Sequence, residues 1–210
     1  MTIEETKKKI LEDDEFVMTE VHRLRTLYEL KSVIRYNMQR TDEIDTESVA
    51  EHVYGMHILA TYFLPLENEN HTWKRERISA LINFHDIEEV ETGDVVGYIK
   101  TEERRAVERE ALPKVIARLP ESMHQPVTEL LDEYIAQETA ESQFVKAIDK
   151  VEPSFHVYRE HDVKTNYNIT KATYEQHRAM KDPYTQAFPV LHHFNDVLSR
   201  TLRDEGHFSE

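Results

Sequence analysis

Five side chains combine reactive chemistry with helical spacing: His52, His85, Asp86, Glu89 and Asp149. The chain contains no cysteine, so thiolate nucleophiles, disulfides and cysteine-based zinc sites are all excluded. Any metal must be held by His, Asp or Glu. His52 is followed by Met56, Leu59 and Phe63 at spacings that share one helix face, so its imidazole is expected to point inward. Ile78, Leu81, Ile82, His85 and Glu89 repeat that spacing, which turns His85 and Glu89 inward with Asp86 one position round. In a third segment Phe144, Val145, Ile148, Val151 and Phe155 form an apolar stripe, with Asp149 at its edge and Glu152 three residues later. A buried ionised carboxylate is costly unless it pairs, shifts its pKa or binds a cation. Two imidazoles and two carboxylates around one divalent ion satisfy all four groups and leave open positions for water and a phosphate oxygen. A His-Asp dipeptide alone is weak: His161 and Asp162 form a second one among Arg159, Glu160, Lys164 and Asn166, with no apolar stripe, and read as a solvated surface pair.

The elements that must position these groups read as helices throughout. Only four glycines occur, and long stretches rich in Glu, Lys, Leu, Ala and Arg carry apolar residues at helical spacing. The expected fold class is an all-α bundle with one metal site in its core. Helices are predicted near residues 15 to 36, 47 to 64, 73 to 88, 100 to 118, 122 to 137, 140 to 160, 169 to 180 and 184 to 203. Ser48 and Glu51 form a capping box at the start of the second of these. Pro65 and the polar run after it predict a loop before Trp73, and His124 falls in a Met-His-Gln-Pro segment that reads as an interhelix loop. Gly93 and Gly97 flank Asp94 in a segment expected to need an unusual backbone path.

With 210 residues, the length favours a single domain spanning residues 1 to 210. The 26 Lys and Arg against 41 Asp and Glu give net charge −15, which repels the backbone of long nucleic acids. A small anionic substrate stays compatible, because a metal and a few cations can make one pocket positive on an acidic protein. No apolar run is long enough to cross a bilayer, and Met1 to Ile10 mixes Glu and Lys where a signal peptide is apolar, so no membrane association and a cytoplasmic location are expected.

Three segments together carry a family resemblance: Glu47-Ser-Val-Ala-Glu-His52, then Phe84-His-Asp-Ile-Glu-Glu89-Val-Glu-Thr-Gly-Asp94, then Lys146-Ala-Ile-Asp149-Lys-Val-Glu152. The order His, His-Asp, Asp resembles the HD-domain phosphohydrolases, and Leu30 to Asp94 is similar to their 5′-deoxynucleotidase branch. The similarity spans roughly residues 24 to 160, with the C-terminal helices expected to pack on that part. It implies a helix bundle holding one divalent metal through His52, His85, Asp86 and Asp149, with Asp132 the runner-up for the fourth ligand. It further implies that Glu89 assists proton transfer, that Asp94 meets a sugar hydroxyl, and that Arg35, Tyr36 and Arg40 serve the substrate, the arginines by offsetting phosphate charge. A nucleotide substrate and a homodimer follow by the same analogy.

The chain departs from that pattern in two places. Tyr36 stands where the branch has a tryptophan that helps to exclude the ribose 2′-hydroxyl, and the stretch from Arg40 to Glu47 is about two residues longer. A dinuclear site needs more histidines between the pair and Asp149 than His124 alone, which favours one metal and argues against the di-iron oxygenases of this fold. Two His and two carboxylates suit manganese, cobalt, iron, nickel or zinc. The expected activity is 5′-nucleotidase hydrolysis of nucleoside or deoxynucleoside monophosphates. The alternatives are a deoxynucleoside triphosphate hydrolase of the same fold and a non-catalytic HD domain that binds a nucleotide.

Overall fold

The computed structural model describes residues 1–35, 46–95, 97–158 and 172–209. The order is α1 (Ile3–Glu12), α2 (Asp14–Tyr28), α3 (Val49–Glu67), α4 (Arg75–Phe84), the single turn α5 (Glu89–Thr92), α6 (Glu102–Arg118), α7 (Glu121–Ala136), α8 (Ala140–Val157), α9 (Tyr174–Thr185) and α10 (Pro189–Asp204). Short 3₁₀ turns occupy Glu29–Lys31 and Gly97–Ile99. Among the described residues there is no sheet, only isolated bridges between Ile34 and Ser48 and between Thr173 and Ser209.

Local chemistry sets the helix starts. The Ser48 hydroxyl accepts from the Glu51 amide, and the Glu51 carboxylate accepts from the Ser48 amide at 2.7 Å, so two N–H groups that α3 leaves open are satisfied. Thr173 and Gln176 repeat the box at α9, and Thr139 caps α8. Helix α8 is the central element, packed against α3, α4, α7, α9 and α10. Its fully buried Phe144, Ile148 and Val151 meet Met56 and Phe63 of α3 and Ile82 of α4, and Trp73 stacks its edge between Phe144 and Phe188. A second cluster, Ile87, Val115, Leu119, Val127 and Leu131, joins α6 and α7 to the turn after α4.

Several expected boundaries are corrected. The first helix predicted to reach residue 36 ends at Tyr28, because the chain turns so that Ile34 can bridge Ser48 and the Arg35 amide can donate to the Glu47 carbonyl. The helix expected over 73 to 88 breaks after Phe84, and α9 and α10 begin several residues later than expected. Helix α1 was not foreseen at all. Pro65 does not end α3, which continues to Glu67, and the His124 segment is part of α7 with Pro126 inside it. His161 and Asp162 lie outside the described residues.

Candidate metal centre

Four elements deliver the candidate residues to one place. His52 comes from the first turn of α3 and is fully buried; His85 is the C-cap of α4; Asp86 sits in the turn that follows; Asp149 lies in α8. Ligand atoms of His52, His85 and Asp86 all lie within 4.8 Å of one another. Asp149 Oδ1 is 3.5 Å from His52 Nε2, and Asp86 Oδ2 is 3.0 Å from His85 Nε2.

The outer contacts fix which atom each residue presents. His52 Nδ1 stands 2.6 Å from Glu152 Oε2, and His85 Nδ1 stands 2.9 Å from the Ile82 carbonyl, so each Nδ1 carries the proton and donates it. Both Nε2 atoms are buried without a hydrogen-bond partner. Two lone pairs aimed at the same spot, beside two carboxylate oxygens, are what a divalent ion needs and what a protein interior without one leaves uncompensated. The residues present therefore fit the metal that the sequence implies. Asp149 is likewise oriented: its Oδ2 accepts from Tyr134 Oη at 3.1 Å and faces Lys150 Nζ at 3.0 Å and Lys146 Nζ at 3.3 Å, leaving Oδ1 for the centre. Burial alone raises the Asp149 carboxyl, but the Lys150 and Lys146 charges outweigh it and hold Asp149 ionised well below the usual carboxylate range.

Glu47, His52 and Glu152 make a second group of potential ligands. There a cation is already supplied, because Arg35 Nη1 reaches Glu47 at 2.8 Å and Glu152 at 3.5 Å. Burial and the Arg35 charge push the His52 imidazolium down, yet Glu152 and Asp149 outweigh them and raise it to about 9, so the Nε2 lone pair is offered to a cation that displaces the Nε2 proton. Glu152 reaches His52 past Gly55, where any Cβ would collide with the Glu152 carboxylate. Gly55 is thus required by this close approach, one turn after His52.

Glu89 is buried at the start of α5, with Oε2 unpartnered. Burial, then Asp86 and Asp94, raise its carboxyl well above the usual range, against the opposing pull of Arg35. Asp94 is also buried and follows Gly93, whose φ of +66° is open to glycine at little strain. Arg104 donates to the carbonyls of Thr92 and Gly93 and fastens that turn, and Arg35 Nε lies 4.0 Å from Asp94 Oδ1. Arg35 is therefore a buried residue of the site and not a surface ion pair. Asp132, the runner-up for the fourth ligand, is exposed on α7 and lines a separate cavity with His124, Leu112 and Leu131. Tyr36 and Arg40 lie outside the described residues.

A cavity of about 530 Å³ opens on His85 and Asp86, bounded by Tyr134 and Lys146, by Lys100 and Arg109 from the α6 side, and by Met180 of α9. That volume falls in the range of small-molecule sites, roughly 300–1,000 Å³. Sequence reasoning named Glu47, Glu152, Lys146 and Lys150 without giving them these roles, and missed Tyr134 and Lys181. Glu152 had a signal, its place one turn after Asp149; Lys181 had none, because only the packing of α9 on α8 brings it near.

The family model described as HD domain matches residues 27–190, and the chain belongs to this family. Among curated relatives, the 5′-deoxynucleotidase HDDC2 of Bos taurus is 31% identical over 131 residues, which is 61% of this chain and 62% of that protein. The match thus spans less than two thirds of that relative's length. The 5′-deoxynucleotidase of Cronobacter sakazakii is 29% identical over 198 residues, covering 87% of this chain and 98% of its own. A crystal structure described as a predicted metal-dependent phosphohydrolase from Magnetospirillum magnetotacticum shares the fold, with TM-score 0.75 at 21% identity over 92% of this chain and 98% of that one.

Proposed function

We propose that this protein is a metal-dependent 5′-nucleotidase that releases phosphate from nucleoside or deoxynucleoside monophosphates, with one divalent ion held by His52, His85, Asp86 and Asp149. The observation that carries the reading is the pair of buried, unpartnered Nε2 atoms converging beside two carboxylates, each imidazole oriented through its other nitrogen. The named relatives, which are 5′-deoxynucleotidases, support the substrate class. Such an ion, when bound, supplies Lewis acidity toward a phosphate oxygen and lowers the pKa of water.

The chain's own residues do the rest. Arg35, held by Glu47, offsets negative charge that develops on the phosphoryl group. Glu89 Oε2 takes the proton of the attacking water, a task suited to a carboxyl whose proton affinity is raised well above the ordinary carboxylate range. The Asp94 carboxylate accepts from a sugar hydroxyl and so aligns the ester for in-line displacement. Arg40 keeps the role of offsetting phosphate charge, and Tyr36 the substrate-binding role, that the family resemblance implies. A triphosphate substrate is less favoured, because the cations just before and on α6 are already paired: Lys100 with Glu108 at 2.7 Å and Arg109 with Glu102 at 2.8 Å.

The chain acts as one domain, in which α9 completes the wall of the large cavity, and its working location is the cytoplasm; no described helix is long and apolar enough to cross a membrane. A homodimer is supported by exposed Tyr54, Ile58 and Tyr62 on α3 beside exposed Val190, Phe194 and Val197 on α10. These residues form an apolar face of the kind that subunits cover, and a purely monomeric species in sedimentation velocity would contradict it.

The activity is tested by stripping the protein, restoring manganese, cobalt, iron, nickel or zinc singly, and assaying phosphate release from ribo- and deoxynucleoside mono- and triphosphates. Monophosphates should release phosphate only with metal, with less than about 10²-fold preference between the two sugars, since Tyr36 is a looser wall than tryptophan. Asp94→Asn should raise KM for substrates that carry a 3′-hydroxyl and spare those that lack it. Metal-independent turnover, or turnover of triphosphates alone, would overturn the proposal.

A further inference from the structure

A second cavity, of about 90 Å³, adjoins the candidate metal centre and shares Gly97, Lys150 and Met180 with the larger one. Gly97 belongs to the partition because a Cβ there would press to 3.2 Å from the Met180 sulfur. Arg35, Asp149, Lys150, Ser154 and Lys181 line the small cavity. Lys181 is the least expected of them. It is 1% exposed, comes from α9, and donates to the main-chain carbonyl of Lys150.

Among the described residues no carboxylate stands within ion-pair distance of the Lys181 ammonium. Arg35 is engaged by Glu47, and Lys150 by Asp149, so the third cation of the cavity is the one without a negative partner. An ammonium so placed is costly unless an anion joins it. Burial, then the charge of Lys150, push Lys181 down to about 7, the response of a cation that lacks such an anion. Ser154 adds an independent sign. Its residue is 1% exposed, and its hydroxyl is buried at this cavity without a hydrogen-bond partner.

We propose that Lys181, with Ser154 and Lys150, forms an oxyanion subsite that holds the tetrahedral phosphate of the substrate, and of the product, against the metal centre. An ammonium offers donors only, and a hydroxyl can turn its hydrogen to suit, so the cavity presents donors on several sides. A tetrahedral dianion carries acceptors in every direction and matches that arrangement, whereas a planar base presents acceptors only along its edge. The cavity also borders Asp149 and Arg35, the residues assigned to the metal and to the phosphoryl charge. This inference rests on the nucleotidase reading and adds to it a substrate-binding role for α9, a helix outside the three sequence motifs that carry the resemblance.

The test uses the manganese-loaded protein with inorganic phosphate as the probe. Affinity is read from the phosphate-dependent rise in Tm and from competitive inhibition of nucleotide hydrolysis, and metal content is measured in parallel. Lys181→Met should weaken phosphate binding and raise KM by about tenfold to a hundredfold, the loss of one charge-assisted hydrogen bond, while the metal stays bound. Ser154→Ala removes a neutral bond and should weaken phosphate about fivefold. If Lys181→Met does not fold, Ser154→Ala decides alone. Phosphate affinity within twofold of the unmodified protein in a folded variant would overturn the subsite. Lys181-dependent phosphate binding in a protein that hydrolyses no nucleotide would keep the subsite and sink the nucleotidase reading; hydrolysis that ignores Lys181 would do the reverse.

Discussion

Replacing Glu89 by Gln is expected to lower turnover by a factor of about 10² to 10⁴, the usual worth of general acid–base catalysis, with metal content unchanged. The argument starts from position. Glu89 is 5% exposed, four residues after His85, with Oε2 unpartnered in the interior. A carboxyl kept there without a role would cost stability, and the substitution keeps its shape while removing its ability to take a proton. Burial and the charges of Asp86 and Asp94 raise the group's affinity for a proton above that of an ordinary carboxylate. Its affinity for a proton is therefore set by burial, by Asp86 of the candidate centre and by Asp94. Turnover and metal stoichiometry measured on one preparation separate the possibilities. Parallel loss of both would make Glu89 a ligand instead.

Asp149→Ala is expected to reduce bound metal from one ion per chain to nearly none and to abolish activity, whereas Asp132→Ala should change neither. Asp149 is fastened from behind by Tyr134, Lys146 and Lys150, which leave one oxygen facing the His52 Nε2 atom. Removing it deletes a ligand and also leaves two half-buried cations without their carboxylate, a loss below the roughly 3–5 kcal/mol of a fully buried pair. The melting temperature should fall with the metal content. Asp132, exposed on the far wall of a different cavity, touches none of these groups. Elemental analysis and thermal melting of the two variants read the outcome, and metal loss from Asp132→Ala would reverse the choice of fourth ligand.

Much of this arrangement is legible in the residues. The Ser48–Glu51 box and the apolar spacing from His52 locate α3 and its inward imidazole, and the stripe around Ile148 locates α8 with Asp149 beside it. Prolines misled because tertiary packing overrides the local breaker. Pro65, Pro126 and Pro183 lie inside helices of the folded chain where a loop or break is expected, whereas Pro113 and Pro153 fall inside helices that are expected. Helix α1 was missed for the opposite reason: it buries only Thr6, so no apolar stripe marks it, although Thr2 and Glu5 cap it. The extended stretch at Ile34 is invisible to periodicity, since it exists to carry Arg35 beside Glu47. The outer contacts of the site depend on pairs far apart in sequence. Glu152 and His52 meet only once α8 packs on α3, and Lys181 reaches Lys150 only once α9 packs on α8.

The central claim is that one divalent ion sits among His52, His85, Asp86 and Asp149, and anomalous diffraction from crystals of the metal-loaded protein, at the absorption edge of the ion supplied, tests it most directly. The account predicts a single peak at about 2.0–2.2 Å from His52 Nε2, His85 Nε2 and an oxygen of each aspartate. A peak on the other face of His52, between Glu47 and Glu152 where Arg35 now lies, or no peak at all, would contradict it.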